Sequence, residues 1–537
     1  RVASTWKPKD SDSIFFSQSD GRGVTWSPQV EFDVTPGAAK LSGHYLAAVE
    51  DTAWVAWNDS RFAPSANPWD PIQAPFLRAI DLTTGSIGPE LALPVQGSLP
   101  LSETKVKALS AVRVAGEVHV HALLYSRDLS ANSRSLILAS SHDGGQTFPF
   151  VHVIGSGLVF SEYEMELVVD GQTVHLVFPG NWNSNELRYQ RSTDGGVSLD
   201  FSPTQVLFDS PNAGIATLVA AGTDGNLAVS WTDQETLSSE PFDLLSRVLA
   251  IVSKDGGSSF SNVSILDSIA SPYMRMYAEQ AFVEPASGVA MATWLKVNID
   301  TDYKFFWWRA TQDGGLSWMP TALLANGEGT SKSALVGDTT GRGRVFAIHS
   351  FDSTGAWANT MDTLVSVSHD GGLTFEPNID LVPSGSAAIT AVFNERYQNV
   401  VTVQKTTTHS ELLSGGVRPQ TVDVQGFSAG PAAINVSFSH FDDGNDLVWL
   451  MASGTQGDLL LPNGDNRNLG LGITPLLLQT LSNQAIYLMP LDGSGAASLG
   501  PLNVQLPPGM TLFLSAFTID FTALEFGDIS DLKTIHS

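Results

Sequence analysis

Arg275, Tyr277 and Glu279 lie within one short stretch of the chain, and together they could bind and hydrolyse a glycoside. A tyrosine made nucleophilic by a neighbouring glutamate can open a glycosidic bond. An arginine can hold a substrate carboxylate through two parallel hydrogen bonds. These three are the candidate catalytic residues. His44, Tyr45, Lys107, Tyr163, Glu164 and Arg396, the last beside Glu395, are candidate binding residues. His119 and His121 alternate on one apolar run and His175 falls in a similar one; they could share a metal only if the fold brings those strands together, and satisfied strand histidines are the plainer reading. Asp442, Asp443 and Asp446 cluster hard oxygen ligands in one turn and could hold calcium. That run lacks EF-hand spacing and its distal glutamate, so a solvated turn competes with the ion. Calcium there is the one cofactor the sequence suggests. No HExxH, phosphate-binding loop, dinucleotide fingerprint or serine-nucleophile elbow is present.

The elements that would position such residues are short strands. The chain has 537 residues, 42% hydrophobic and only 15% charged, which suits a folded protein rather than a disordered one. Its 48 glycines fit a fold with many tight turns. A formal net charge of −27 argues against nucleic acid and anionic lipid as partners. The absence of cysteine rules out disulfides, thiolate metal sites and cysteine nucleophiles. No apolar run is long enough to span a membrane, and no leader-like segment opens the chain at Arg1.

One motif returns along the chain. Ser141-His142-Asp143-Gly144-Gly145-Gln146-Thr147-Phe148 recurs around Asp194, Asp255, Asp313 and Asp370, and with one inserted residue around Asp20. Asp81-Leu82-Thr83-Thr84-Gly85 stands where a worn copy is expected, since the seven aspartates then fall 51 to 62 residues apart. Each copy reads as a hairpin turn. The aspartate accepts hydrogen bonds from backbone amides of its own turn, the glycines permit positive φ, and the aromatic residue packs at the core's edge. Short β-branched and aromatic runs flank every copy, and no helical period of apolar residues interrupts them. Four short strands per repeat is the pattern of a propeller blade.

These copies resemble the Asp boxes, or BNR repeats, of the sialidase-like propellers. The resemblance covers roughly residues 1–408 and implies an all-β, Asp-box β-propeller whose boxes lie at the blade periphery. The register implies seven blades, or six if the Asp81 region is irregular, with strands at 388–393 and 400–403 joining the N-terminal strands to close the ring. The inner strand of each blade would line a channel, which puts the candidate residues above at its mouth. The sialidases' Arg-Ile-Pro motif is missing and their three arginines have no one-to-one match here. Channel lining is therefore the plainer reading of Arg275, Tyr277 and Glu279. Trp57-Asn58-Asp59-Ser60-Arg61 resembles a segment of non-catalytic BNR-repeat proteins, with Arg61 tying a loop to Asp59 or to a neighbouring backbone.

After residue 408 the repeat stops. Residues 409–419 read as a linker and 420–537 as a β-sandwich, whose last strand resembles the C-terminal segments of secreted bacterial β proteins. The expectation is an extracellular bacterial protein, secreted or at the cell surface, that binds a glycan or another surface component. It would have other surface proteins or a second copy of itself as partners through the C-terminal domain. A sialidase-like glycoside hydrolase or a polysaccharide lyase is the alternative.

Overall fold

The computed structural model describes residues 2–6, 13–19, 27–33, 39–61, 73–94, 102–128, 133–156, 165–180, 186–201, 204–210, 213–237, 244–337, 343–352, 361–377, 379–382, 386–394, 399–406, 412–417, 421–425, 430–439, 447–453, 488–491, 496–506, 511–520, 525–529 and 533–536. Among them every regular element is a β-strand. The N-terminal sheet holds β1 (Val2–Trp6), β2 (Phe15–Ser19) and β3 (Val30–Glu31). Four four-stranded antiparallel sheets follow. The first contains β4 (Ala39–Val49), β5 (Thr52–Asp59), β6 (Ala74–Asp81) and β7 (Leu91–Ala92), and the second β8 (Ser102–Val114), β9 (Glu117–Asp128), β10 (Ser133–Ser141) and β11 (Phe150–Ser156). The third contains β12 (Glu166–Asp170), β13 (Thr173–Pro179), β14 (Glu186–Ser192) and β15 (Gln205–Asp209), and the fourth β16 (Ala213–Thr223), β17 (Asn226–Thr236), β18 (Leu244–Ser253) and β19 (Ser264–Ser271).

The next seven strands form one continuous sheet: β20 (Met274–Val283), β21 (Ala290–Asn298), β22 (Tyr303–Thr311), β23 (Ala322–Gly337), β24 (Val345–Asp352), β25 (Met361–Ser368) and β26 (Ile379–Val382). Its long β23 pairs with β22 through its first half and with β24 through its second, with a register break between Glu328 and Lys332. One strand thus ends one four-stranded unit and begins the next.

The sheets pack face to face in chain order, and the alternation of the second strands shows it. Trp57 and Val55 of β5 join Phe16 and Phe32 in one core cluster, whereas Trp54 and Ala56 join Val120, Ala122 and Ile137 in the next. Leu123 and Tyr125 of β9 point the other way, into a cluster with Val174, Leu176 and Phe178. Val177 and Tyr189 then meet Val229 and Trp231, Ala250 meets Trp294, and Met291 and Leu295 meet Val345 and Ala347. A second strand between two neighbours is covered on both faces, so it reads as a continuous apolar run rather than an alternating one. The outer strand β19 alternates instead and leaves Ile265 exposed. Burying a side chain such as Trp231 removes it wholly from water and contributes about 1.5–3 kcal/mol.

First strands touch first strands around the series: β4 packs on β8, β8 on β12, β12 on β16, β16 on β20 and β20 on β23. Face-to-face sheets whose inner strands follow one another in this way make a β-propeller. The Asp81 copy is a real turn, capped by the Thr83 and Thr84 amides on Asp81 Oδ1 at 2.7 and 3.0 Å, and its sheet is complete.

β27 (Ser386–Asn394) and β28 (Asn399–Thr406) pair with β29 (Leu412–Val417), a strand inside the segment expected to be a linker, and form a sheet separate from β1–β3. Leu412–Val417 supplies the third strand that a two-stranded remnant needs to satisfy its free edge. Two antiparallel sheets follow. One joins β30 (Thr421–Gln425), β31 (Gly430–Ser439) and β34 (Ala497–Leu506). The other joins β32 (Leu447–Ser453), β33 (Leu488–Pro490), β35 (Thr511–Asp520), β36 (Glu525–Ile529) and β37 (Lys533–His536).

Candidate functional site

The repeated turns come first, because they set the register of everything else. Five share one hydrogen-bond pattern. The hydroxyl two residues before the aspartate donates to its Oδ1 at 2.6–2.8 Å and accepts from the second glycine amide at 2.8–3.0 Å. The Ser or Thr four residues after the aspartate donates its amide to Oδ1 at 2.8–2.9 Å and its hydroxyl to Oδ2 at 2.5–2.6 Å. Partial burial of Asp143 works against its charge, but the hydroxyls of Ser141 and Thr147 outweigh it and draw the carboxyl down to about 2. At Asp255 and Asp313 the hydroxyls of Ser259 and Ser317 lead, and both also sit at about 2. These aspartates are saturated by their own turns and hold no position for a ligand.

Four of these turns also fasten their sheet to the one before it. Trp54 Nε1 donates to the Gly144 carbonyl at 2.9 Å, Arg191 Nη1 to Gly256 at 2.7 Å and Lys254 Nζ to Gln312 at 2.9 Å. His142 and His152 reach the carbonyls of Gly195 and Gly196 at 2.8 and 2.9 Å. The second glycine lies so close to the preceding sheet that a Cβ on Gly257 would stand 1.8 Å from Tyr189 Oη, and one on Gly196 2.2 Å from Ser140 Oγ. Positive φ is therefore only half of the reason for glycine there.

Counting from the turns locates residues at one height of the inner strands. The hydroxyl residue two before each aspartate pairs with the second strand: Ser141 with Val120, Ser192 with Val174, Thr311 with Ala290. Three residues further along those strands stand Leu123, Val177 and Thr293, opposite Ala108, Glu166 and Gln280 of the inner strands. The same count in the Asp81 sheet, from Trp54 to Trp57, arrives at His44. From Val345 to Ile348 it arrives at Ala334, beside Ser333. The β16 sheet contributes apolar Val219. Lys107 and Glu279 are the extra residues of β-bulges immediately before Ala108 and Gln280. A bulge breaks the alternation of a strand and re-aims its side chain.

His44 and Glu166 therefore stand at one height of the inner strands, with Lys107, Glu279 and Ser333 one residue before it. Ser333 Oγ donates to Glu279 Oε2 at 3.4 Å, joining two adjacent inner strands. His44 Nε2 meets the Thr5 carbonyl at 3.1 Å, and the Lys107 ammonium lies 5.7 Å from the centroid of the Tyr125 ring. Glu166 stands apart. Other carboxyls on these sheets are paired, Glu103 with Lys105 at 2.7 Å, Glu186 with Arg188 at 2.6 Å and Asp233 with Arg247 at 2.7 Å. Glu166 has no such partner among the described residues, is half-buried, and is pushed up to about 8 by desolvation alone.

Three residues proposed from sequence, His44, Lys107 and Glu279, stand at or next to this height on different strands; Glu166 and Ser333 were not among the candidates. Arg275 and Tyr277 pair with Val297 and Leu295, further along the strand. The Arg275 guanidinium donates to the Ser271 and Met274 carbonyls at 3.1 and 2.8 Å. Tyr277 packs on the cluster of Met291, Leu295 and Phe306, and its hydroxyl has no hydrogen-bond partner among the described residues, Glu279 included. Tyr45 packs on the cluster of Trp54 and Ala56. Tyr163, Glu164, Glu395, Arg396, Asp20, Asp442, Asp443 and Asp446 lie outside the described residues.

The histidines do not gather round a metal. His119 stacks on His142 with ring centroids 3.8 Å apart, His121 Nδ1 meets Ser140 Oγ at 2.9 Å, and His175 Nδ1 meets Tyr189 Oη at 2.7 Å. Among the described residues no group of His, Asp and Glu is arranged to hold an ion. Arg61 joins Asp59, as expected, and also Glu90 at 2.6 Å, while stacking 4.1 Å from the Phe76 centroid.

No family profile matches the chain, and no curated protein matches it. Similar folds occur among solved structures. The polysaccharide lyase Uly1 is 10% identical, covering 78% of this chain and 98% of its own, with a TM-score of 0.44. A Trypanosoma rangeli sialidase in complex with sialic acid is 10% identical over 100% of this chain and 92% of its own, at 0.36. The WD40 domain of SCAP from fission yeast is 10% identical over 75% and 89%, at 0.37.

Proposed function

We propose that the chain is a seven-bladed Asp-box propeller that binds a glycan, or a cell-surface component bearing one, outside the cell. Six blades would run from β4 to β26 and the seventh would come from the chain ends. Residues 420–537 would form a β-sandwich through which other surface proteins, or a second copy of the chain, attach. The observation that supports binding is the height of the inner strands at or next to which His44, Lys107, Glu166, Glu279 and Ser333 stand. Together these offer donors and acceptors of the kind that sugar hydroxyls use.

The same geometry weighs against the hydrolase alternative. A tyrosine nucleophile needs its glutamate within about 3 Å, and Tyr277 Oη has no such contact among the described residues. Arg275 is engaged with backbone carbonyls. Binding of purified protein to immobilised oligosaccharides, read by calorimetry, tests the proposal. Lys107→Met and Glu279→Gln should each weaken binding about tenfold, the loss of one charged hydrogen bond. Tyr277→Phe should leave it unchanged. Release of reducing sugar that Tyr277→Phe abolishes would replace binding with hydrolysis.

A further inference from the structure

We propose that the seam between the second and third four-stranded sheets is an acid-released joint: four histidines of the second sheet hold the Asp194 turn of the third only while their rings are neutral, and acidification parts the two sheets there. The proposal does not depend on what the propeller binds.

The four histidines converge from three elements. His119 and His121 lie on β9 at the alternation of Leu123 and Tyr125, which point into the third sheet. His142 stands in the Asp143 turn and His152 on β11. His142 Nε2 donates to the Gly195 carbonyl at 2.8 Å, and His152 Nε2 to the Gly196 carbonyl at 2.9 Å. A carbonyl only accepts, so each neutral ring commits its one proton to the turn. His119 lies flat on His142, with ring centroids 3.8 Å apart and planes 4° from parallel. The His121 ring stands 6.2 Å from His119, and its Nδ1 meets Ser140 Oγ at 2.9 Å. The turn is pressed into this group: a Cβ on Gly195 would stand 2.8 Å from both His119 Nδ1 and His142 Nε2.

The closed seam has no place for further protons. His119 Nδ1 and His121 Nε2 are buried with no hydrogen-bond partner among the described residues. A proton added at either makes a buried N–H without an acceptor. Charging His119 or His142 also sets a cation against the face of the other ring. Nearby charges give little relief. On β9, Glu117 comes within 3.9 Å of His119 Nε2 but is itself exposed to water. On β8, Arg113 turns to Glu50. Asp143 is held by Ser141 and Thr147, and Asp194 by Ser192 and Ser198. Across the seam, Asp170 of β12 accepts from the Gly225 amide and His175 of β13 is bonded to Tyr189. Arg188 and Arg191 of β14 pair with Glu186 and Asp200. Burial accordingly lowers His119 from its ordinary value and takes His121 to about 3. Parting the sheets returns the rings to water, where they take up protons near pH 6.5. The closed seam is therefore fully favoured above about pH 6.5 and loses ground as pH falls towards the folded values. His121 alone raises the opening equilibrium about 20-fold between pH 7 and pH 5.

The test is hydrogen–deuterium exchange of the full chain between pH 7 and 5, corrected for the intrinsic pH dependence of exchange and read by mass spectrometry. Segment 190–198 reports the seam. Segment 311–317 is the control, a turn held by Lys254 at 2.9 Å and free of histidine. Protection of 190–198 should fall at least about 20-fold, and that of 311–317 less than about twofold. His121→Asn keeps a hydrogen-bonding side chain but does not titrate, and should shrink the fall severalfold. His119→Gln makes the same comparison at the stacked ring. Protection of 190–198 that does not change with pH, an equal fall in both segments, or a fall in both variants equal to that of wild type overturns the proposal.

Discussion

Substituting the two adjacent glycines of one turn separates two reasons for their presence. Gly256 and Gly257 both have positive φ, 64° and 75°. A Cβ on Gly256 meets nothing within 4 Å, whereas one on Gly257 would stand 1.8 Å from Tyr189 Oη and 2.7 Å from Tyr189 Cζ. Alanine at either position costs about 1 kcal/mol for left-handed backbone. At Gly257 it must also displace Tyr189, which is fully buried. Overpacking of this kind costs about 1–3 kcal/mol. Losing the 2.7 Å contact between Tyr189 and His175 adds roughly 1 kcal/mol. Gly256→Ala should therefore lose about 1 kcal/mol and Gly257→Ala about 3–5 kcal/mol, read from urea unfolding followed by tryptophan fluorescence. Adding Tyr189→Phe to Gly257→Ala removes the nearest atom and should recover at least about 1 kcal/mol, an interaction visible in a double-mutant cycle. Equal losses at the two glycines would refute the claim that the turns clamp neighbouring sheets.

Further outcomes can be checked alongside this one. Asp143 and Asp255 are depressed to about 2 when folded, so their contribution is complete above their unfolded value near 4 and disappears as pH falls through about 2; Asp255→Asn should flatten the acid limb of a pH-dependent melting curve. Burial lowers His121 to about 3 and His175 to about 4, so the unfolded chain takes up protons first. Their contribution is then intact above about pH 6.5 and declines towards those folded values; His121→Asn should reduce the fall in melting temperature between pH 6.5 and 4, and an unchanged slope would contradict the burial argument. Arg61→Lys should destabilise the β5 end by about 1–2 kcal/mol through loss of the fork that joins Asp59 and Glu90, whereas exposed Arg113→Lys should change stability by under about 0.5 kcal/mol in the same assay.

The sheets were legible because the physics that builds them is local. Trp54-Val55-Ala56-Trp57 is apolar at every position, since β5 is covered on both faces, and the Asp-Gly-Gly turns announce where hairpins close. The turn at Asp81 was recoverable from spacing alone. What spacing could not convey is depth. Lys107 and Glu279 were noticed for their residue types, but their common height follows from the bulges beside Ala108 and Gln280, which only pairing reveals. Glu166 follows Glu164 by two residues and nothing in the sequence separates them; its half-buried place opposite Val177 comes from strand pairing. Arg275 and Tyr277 were singled out by chemical type; in the fold Arg275 donates to local carbonyls and Tyr277 packs on an apolar cluster, neither of which the sequence announces. At the chain ends, Leu412–Val417 pairs with β28, a partnership that spacing in the sequence does not reveal.

A crystal structure of the chain soaked with a neutral oligosaccharide tests the central claim most directly. Sugar hydroxyls should lie within hydrogen-bond reach of Lys107 or Glu279 on the inner strands. A sugar held only on the outer strands or on the C-terminal sheets, with the inner ring untouched, would contradict it.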